Sequence, residues 1–554
     1  MTRPKLTWTV VGIVTTVAVF AWLVYRRRWI ADDGLIVVRT VRQLLAGNGP
    51  VFNAFERAEA NTSTLWTFLL AFVVGITRAD PTVAAVVTGG VLSVAGLALA
   101  LDGTRRWHRQ RGSTALLVPA GALVVLATFP FWDYATSGLE TGLVTFWIAC
   151  AWWLLVDSKR PWLMAVVFGA GPLVRPELGL VAGVFFTAGW LRLRLRPPRR
   201  RALALLAAGL ALPVAYEVFR AGYYGTLVPL PAIAKGAAGA RWMRGLLYVL
   251  DFVKPCALYV PGVFLGALGV TAIRTGLVAR ADRVTAFAPL IAAAGLLLFV
   301  VRVGGDFMHA RMCLPAVFLA LAPVLVVPFR PPARAVVIAL AAWALWSGLQ
   351  RGDGRNYTSS IAVEDERVGY TRWTKDRHPV TSQTYIAAEG NAAQEVFAAV
   401  ARHERVLLSE GGVHVPLANH PGSVAFAVGR LGVGGVVTPL DGIVVDTLGL
   451  ANPLGARISP TNADEPGHEK SLPWPWILAD FADPGVDPAA AGTTVEEVRA
   501  ARHAMTCGPL AELLASVREP MTLGRFWANL TGAVARTRLE FPSDPIEAER
   551  VLCR

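Results

Sequence analysis

Residues 6–28 read LTWTVVGIVTTVAVFAWLVYRRR, an apolar run that ends at Val24 and is followed by Tyr25 and three arginines. A helix needs about 20 such residues to cross a bilayer. No small-residue cleavage site follows, so the run reads as a retained first span and not a signal peptide. Further apolar runs occupy 82–101, 114–130, 140–156, 162–174, 177–191, 202–220, 256–273, 284–301, 312–328 and 335–350. Together they predict about eleven spans. Composition agrees: 54% of residues are hydrophobic and 17% charged, against roughly 25% charged in soluble domains. Beyond residue 350 the chain reads as an ordinary globular protein. The expected fold is therefore a polytopic α-helical membrane protein over 1–350, with a C-terminal mixed α/β domain over 351–554.

A net charge of +14 is what a nucleic-acid binder shows. Here the basic residues sit in short interspan loops, where they set membrane orientation. Five loops carry them: Arg105, Arg106, Arg109 and Arg111; Lys159 and Arg160; Arg192 through Arg201; Arg274, Arg280 and Arg283; Arg330 and Arg334. All five share the cytoplasmic side if apolar residues 64–77 do not cross fully and form a re-entrant or interfacial helix. The N-terminus is then inside the plasma membrane and everything after 350 outside. The outward segments are 25–63, 131–139, the turn at 175–177, 221–255 and 302–311.

Those segments hold the chemistry. Asp32 and Asp33 follow the first span, beside Arg26, Arg27, Arg28 and Arg39. A carboxylate beside cations is what acid–base chemistry on an anionic substrate needs. The plainer alternative is a helix cap near Leu35, with arginines reaching to headgroups. Arg175-Pro176-Glu177 places ionisable residues at a membrane edge, or makes a tight turn with a local ion pair. Gly304-Gly305-Asp306-Phe307-Met308-His309-Ala310-Arg311 joins a flexible backbone to an acid, a titratable ring and a fixed cation. Glu140 lies at another edge. Tyr223, Tyr224 and Lys235 offer aromatic surface and one cation, or an interfacial belt and a solvated lysine.

No Walker loop, dinucleotide fingerprint or HExxH occurs, so an ATP-driven pump, a Rossmann enzyme and a zinc protease are disfavoured. The five cysteines lack zinc spacing, and no cofactor is indicated. Cys507 and Cys553 are a candidate disulfide if the C-terminal domain is outside the cytoplasm. In that domain 406–408 and 442–446 read as buried strands, and 394–403 and 494–505 as helices. Trp474, Trp476 and Trp527 suit sugar stacking or core packing.

Several stretches resemble a known family. They are Arg27 through Val37, Leu45 through Asn53, Glu59 through Thr64, Thr136 through Glu140, Val174 through Glu177, Gly222 through Gly225, Gly305 through His309, Gly449 through Leu454, and Gly467-His468. They are similar to the terminal β-(1→2)-arabinofuranosyltransferases of mycolic-acid bacteria, the AftB family. The resemblance implies a GT-C type membrane glycosyltransferase acting on the outer face. It implies a decaprenyl-phosphoryl-arabinose donor and an arabinan acceptor in arabinogalactan or lipoarabinomannan. It places Asp32 and Asp33 on the acidic motif after the first span as the catalytic pair. Arg28, Arg175, Lys235, His309 and Arg311 become candidates for the donor phosphate, and Glu140, Glu177, Tyr223, Tyr224 and Asp306 for orienting sugar or acceptor. Donor and product are both β in this family, so the reaction retains configuration, through two displacements or front-face attack. The rival readings are a GT-C transferase of another sugar and a polyprenyl-lipid flippase. No internal repeat of the kind transporters carry is evident.

Overall fold

The computed structural model describes residues 3–157, 159–192, 198–236, 239–276, 278–350, 361–418, 420–460 and 468–553. Part of the basic loop 192–201, the entry to the C-terminal domain at 351–360, and Gly467 lie outside them. Internal contacts divide the chain into two units. Unit 1 comprises Met1–Trp29, Val86–Pro213 and Ala240–Gly369; unit 2 comprises Ile30–Ala85, Val214–Gly239 and Tyr370–Arg554.

Unit 1 is almost entirely helical. Helix α1 (Arg3–Arg26) is the first apolar run. Among the described residues four helices are long and apolar enough to cross a membrane: Lys5–Arg26, Pro81–Gln110, Arg199–Tyr223 and Arg283–Val303. A fifth span results if Pro130–Thr136 and Thr141–Asp157, bent by 111°, count as one. Shorter apolar helices cover Pro161–Val174, Leu178–Arg192, Tyr259–Arg274, Arg311–Val324 and Ala333–Gly348. At 1.5 Å per residue these fall short of a hydrocarbon core of about 30 Å. Arg175-Pro176 separates the helices Pro161–Val174 and Leu178–Arg192, at the boundary between the runs 162–174 and 177–191. The run 114–130 is not one helix. Leu117–Val118 pairs antiparallel with Val327–Pro328, and the helix occupies only Ala120–Ala127.

Close helix contact is made by backbone. A Cβ on Gly169 would stand 1.9 Å from the carbonyl oxygen of Gly209. Small residues serve this purpose in membrane helices, where apolar side chains gain nothing by leaving lipid.

Unit 2 contains α2 (Asp32–Leu45), α3 (Thr64–Thr77) and the C-terminal domain. Helix α3 has 14 residues, about 21 Å at helical rise, too short for a full crossing. A four-stranded sheet runs in the order His414–Pro416, Val406–Ser409, Val424–Val428, Ile443–Asp446. The last three strands are mutually parallel and His414–Pro416 is antiparallel. Every residue of the parallel strands is buried, as expected for a sheet covered on both faces. Leu407, Ala425, Ile443, Trp476, Phe481, Val498 and Leu510 share one core. Trp476 is therefore a core residue, whereas Trp527 is 60% exposed. The predicted helices appear as Asn391–Ala401 and Val495–Met505, the second with a Thr494/Glu497 capping box.

Cys507 and Cys553 form a disulfide. A ring nitrogen of His503 lies within 4.8 Å of both sulfurs, but disulfide sulfurs are not thiolate ligands, and His503 Nδ1 pairs with Glu549 at 2.5 Å.

Candidate active site

Unit 2 holds the acidic pair. Asp32 opens α2 without capping it; the N-cap is Ala31, whose side chain makes no bond. The Asp32 carboxylate instead accepts the N–H groups of Val433 (2.7 Å) and Gly432 (3.1 Å). These N–H groups belong to the first turn of the helix Leu431–Val437, so Asp32 caps that helix and not its own. Burial and the neighbouring Asp33 push its pKa up to about 7, against the two backbone bonds. The preceding residue is pinned as well. The Ile30 N–H donates to the Pro379 carbonyl at 2.8 Å, and the Tyr385 hydroxyl donates to the Ile30 carbonyl.

Two turns along α2, Arg39 is fully buried. Its five N–H groups meet five carbonyls: Phe52, Gly435, Thr438, Pro439 and Gly442, at 2.8–3.1 Å. Burial lowers its pKa to about 9. The sequence places Arg39 among cations suited to a phosphate; every donor it has is already committed to backbone.

Of the other candidates in unit 2, Tyr224 donates its hydroxyl to the Pro50 carbonyl at 2.7 Å. Tyr223 stacks on Phe219 at 4.9 Å. Lys235 is the C-cap of the short helix Leu230–Ala234.

Unit 1 gathers most of the remaining candidates. Arg175 bonds Glu140 at 2.7 Å and also Glu177. Arg311 bonds Asp306 at 2.7 Å. His309 is buried, stacked on Phe129 at 5.6 Å, with Nδ1 3.0 Å from Asp251. Arg28 lies over the Tyr25 ring, 4.3 Å from its centroid.

His309 also lines a cleft of about 200 Å³ with Trp29, Phe129, Asp133, Tyr134, Asp365 and Arg367. Asp133 organises it. Arg27 grips both its oxygens (2.7 and 3.1 Å), the Trp29 indole N–H donates to its carbonyl at 2.7 Å, and Arg367 stands 3.9 Å away. Burial, reinforced by Asp133, raises the pKa of Asp365. The sequence reading passed over Asp133, Asp251, Asp365 and Arg367. Asp133 and Asp251 did carry a signal: each is the lone acid in its outward segment.

A carboxylate pair at a helix start in one unit, and paired cations around a titratable ring in the other, suit acid–base and phosphate chemistry. Comparison with known proteins narrows this. A model of the AftB family C-terminal domain matches residues 381–550. The chain is 38% identical to the terminal β-(1→2)-arabinofuranosyltransferase of Mycobacterium tuberculosis, over 96% of this chain and 95% of that protein. The chain belongs to this family. It is also 35% identical to the Corynebacterium glutamicum enzyme of the same name, over 96% of this chain and 86% of the relative. No solved structure matches it. The protein is thus a glycosyltransferase, an arabinofuranosyltransferase with several membrane helices. The region matched by the family model contains Tyr385, Gly432 and Val433, which hold Ile30 and Asp32 in place.

Proposed function

We propose that this arabinofuranosyltransferase takes its sugar from decaprenyl-phosphoryl-arabinose and delivers it, in β-(1→2) linkage, to the ends of arabinan in arabinogalactan or lipoarabinomannan. The observation that carries this reading is the identity over nearly the whole of both chains with a relative bearing that activity in its name. Of the acidic pair, Asp33 is the reacting carboxylate, as base or nucleophile, because each oxygen of Asp32 already accepts a backbone N–H at a helix N-terminus. Asp32 is a positioning residue.

The cations Arg28, Arg175, Lys235, His309 and Arg311 serve the donor phosphate. Glu140, Glu177, Tyr223, Tyr224 and Asp306 orient sugar and acceptor. Pairing of Arg175 and Arg311 with carboxylates supports a preset geometry for planar guanidinium recognition. Residues 1–350 are the GT-C catalytic part and 351–554 a cap that holds the glycan. About eleven segments cross or enter the plasma membrane, with the N-terminus cytoplasmic and the chemistry outside. The distribution of basic loops supports that orientation.

The test is transfer of labelled arabinofuranose from decaprenyl-phosphoryl-arabinose to a short synthetic arabinan by purified protein. Transfer is expected, with a new β-(1→2) end. Folded protein that transfers nothing with that donor and several arabinans would refute the proposed donor and acceptor, and would favour another sugar lipid.

A further inference from the structure

A second cleft lies wholly within unit 2. It is a narrow cleft, and Arg57, Glu59, Tyr224, Thr226, Pro453 and Arg457 are among its lining residues. One wall is the family stretch Gly449 through Leu454. The Asp446 carboxylate folds it by accepting the N–H groups of Leu448 and Ala451 (2.8 and 2.5 Å). Asn452 Oδ1 continues the turn by accepting those of Leu454 and Gly455. The turn ends on Arg457.

Arg457 is 1% exposed. Its Nε donates to the Arg536 carbonyl (2.9 Å) and one terminal nitrogen to the Pro453 carbonyl (2.8 Å). The other terminal nitrogen, Nη2, is buried and has no partner. Burial, with Arg536 alongside, pushes the pKa of Arg457 down to about 9. Arg57, which also lines the cleft, is half-buried and donates only to the carbonyls of Tyr223 and Ser516. Among the described residues no carboxylate pairs with either arginine. Glu59 also faces this space, but Arg220 (2.6 Å) and the Tyr216 hydroxyl (2.7 Å) occupy it. Lys470 adds a further cation beside the wall, donating to the Ala456 carbonyl at 2.6 Å.

A buried guanidinium with an idle N–H and no counter-ion is costly unless something anionic meets it. We propose that this cleft is an anion site that takes a phosphate group between Arg457 and Arg57. Two fixed cations lining one cleft suit a tetrahedral dianion, whose oxygens can accept from both at once. Two sources offer that chemistry: free phosphate, and the head group of a polyprenyl phosphate. Only the second rests on the transfer reaction proposed above.

The full chain in detergent is titrated with inorganic phosphate, and separately with chloride at equal ionic strength, while its thermal midpoint is read. The midpoint should rise saturably with phosphate and not with chloride. Arg57→Gln should weaken the apparent affinity about tenfold, and Arg457→Met should abolish the response. Arg457→Met also removes the donors to the Arg536 and Pro453 carbonyls, so its midpoint in chloride is read as a folding check; should it fail to fold, Arg57→Gln decides alone. No saturable response in wild type, or an unchanged response in Arg57→Gln, overturns the proposal. A parallel arm uses farnesyl phosphate. Tenfold tighter binding than inorganic phosphate assigns the lipid head group, and equal binding assigns free phosphate. The readout is binding, so a failed sugar-transfer assay leaves this result standing.

Discussion

Asp32 and Arg39 lie on one face of α2, about two turns apart, and hold opposite ends of the helix Leu431–Val437. The anion accepts from N–H groups of that helix's first turn and the cation donates to carbonyls at and beyond its last turn. Each charge sits at the end of the helix dipole that favours it. A short, glycine-rich helix with little intrinsic stability is thereby locked against the segment that carries Asp33.

The first prediction concerns the two aspartates. Asp33→Asn should lower transfer by about a thousandfold or more with folding intact, as for loss of a reacting carboxylate. Asp32→Asn keeps one acceptor for the helix N-terminus and should retain activity within about tenfold of wild type. The measurement is the labelled-arabinofuranose assay on variants matched for thermal midpoint. If the two effects were reversed, Asp32 would be the reacting group and the assignment here would fail.

Arg39 should tolerate no substitution. Losing it strands five buried carbonyls, at a cost on the order of 3–5 kcal/mol. Lysine has three donors in place of a five-donor planar fork, so Arg39→Lys should be nearly as damaging as Arg39→Met. Thermal unfolding and limited proteolysis of the full chain would read this. A lysine variant with the wild-type midpoint would show that charge alone suffices.

Gly432 and Gly435 both face α2, but with unequal room. A Cβ on Gly432 would stand 1.9 Å from the Asp32 carbonyl oxygen, whereas one on Gly435 would meet side chains alone, the Arg39 Cδ at 3.0 Å and the Phe52 Cζ at 3.3 Å. Backbone cannot yield as a side chain can. Gly432→Ala should therefore cost several times more stability than Gly435→Ala, and should reduce transfer by displacing the start of α2. Equal midpoints for the two variants would contradict this packing.

How much of this was legible beforehand depends on the range of the interaction. Val406–Ser409 and Ile443–Asp446 declare themselves as strands because buried parallel strands are continuously apolar. The apolar runs declare helices for the same local reason, and the Asp32–Asp33 pair stands out as acid beside a membrane edge. The partners of that pair do not. Nothing near residue 32 says that Gly432 and Val433 will meet it, and nothing near Arg39 separates a phosphate ligand from a carbonyl clamp. The break of 114–130 by Leu117–Val118 was hidden likewise, because its cause is the distant pair Val327–Pro328. His309 was singled out through its charged sequence neighbours, yet the acid at its Nδ1 is Asp251, on the distant helix Trp242–Val253.

Stability should fall with rising pH through the mildly acidic range. Burial raises the folded-state pKa of Asp32 and of Glu56 to about 7 each. Between the ordinary carboxylate pKa and that value, the folded chain keeps protons that the unfolded chain has released, so raising pH favours unfolding. The thermal midpoint should drop by a few degrees, about 2–4 °C per kcal/mol, from pH 5 to pH 7. The double variant Asp32→Asn, Glu56→Gln should flatten the slope. A midpoint that rises over this range in wild type, and equally in the double variant, would show that neither group holds its proton.

The Cys507–Cys553 disulfide ties the start of the helix Gly508–Arg518 to the end of Pro545–Leu552, closing a loop of 46 residues. Chain-entropy arguments give a bridge of that span about 3–4 kcal/mol, and its persistence requires an oxidising compartment. Peptide mapping without reductant, on protein alkylated in intact cells, should recover the two cysteines linked, and reduction should lower the thermal midpoint. Cys507→Ser should match the reduced wild type, since the remaining thiol has no partner. Both cysteines recovered as free thiols from a producing cell would place the C-terminal domain on the reducing side of the membrane. The outer-face orientation, together with any glycan-holding role for this domain, would then have to be abandoned.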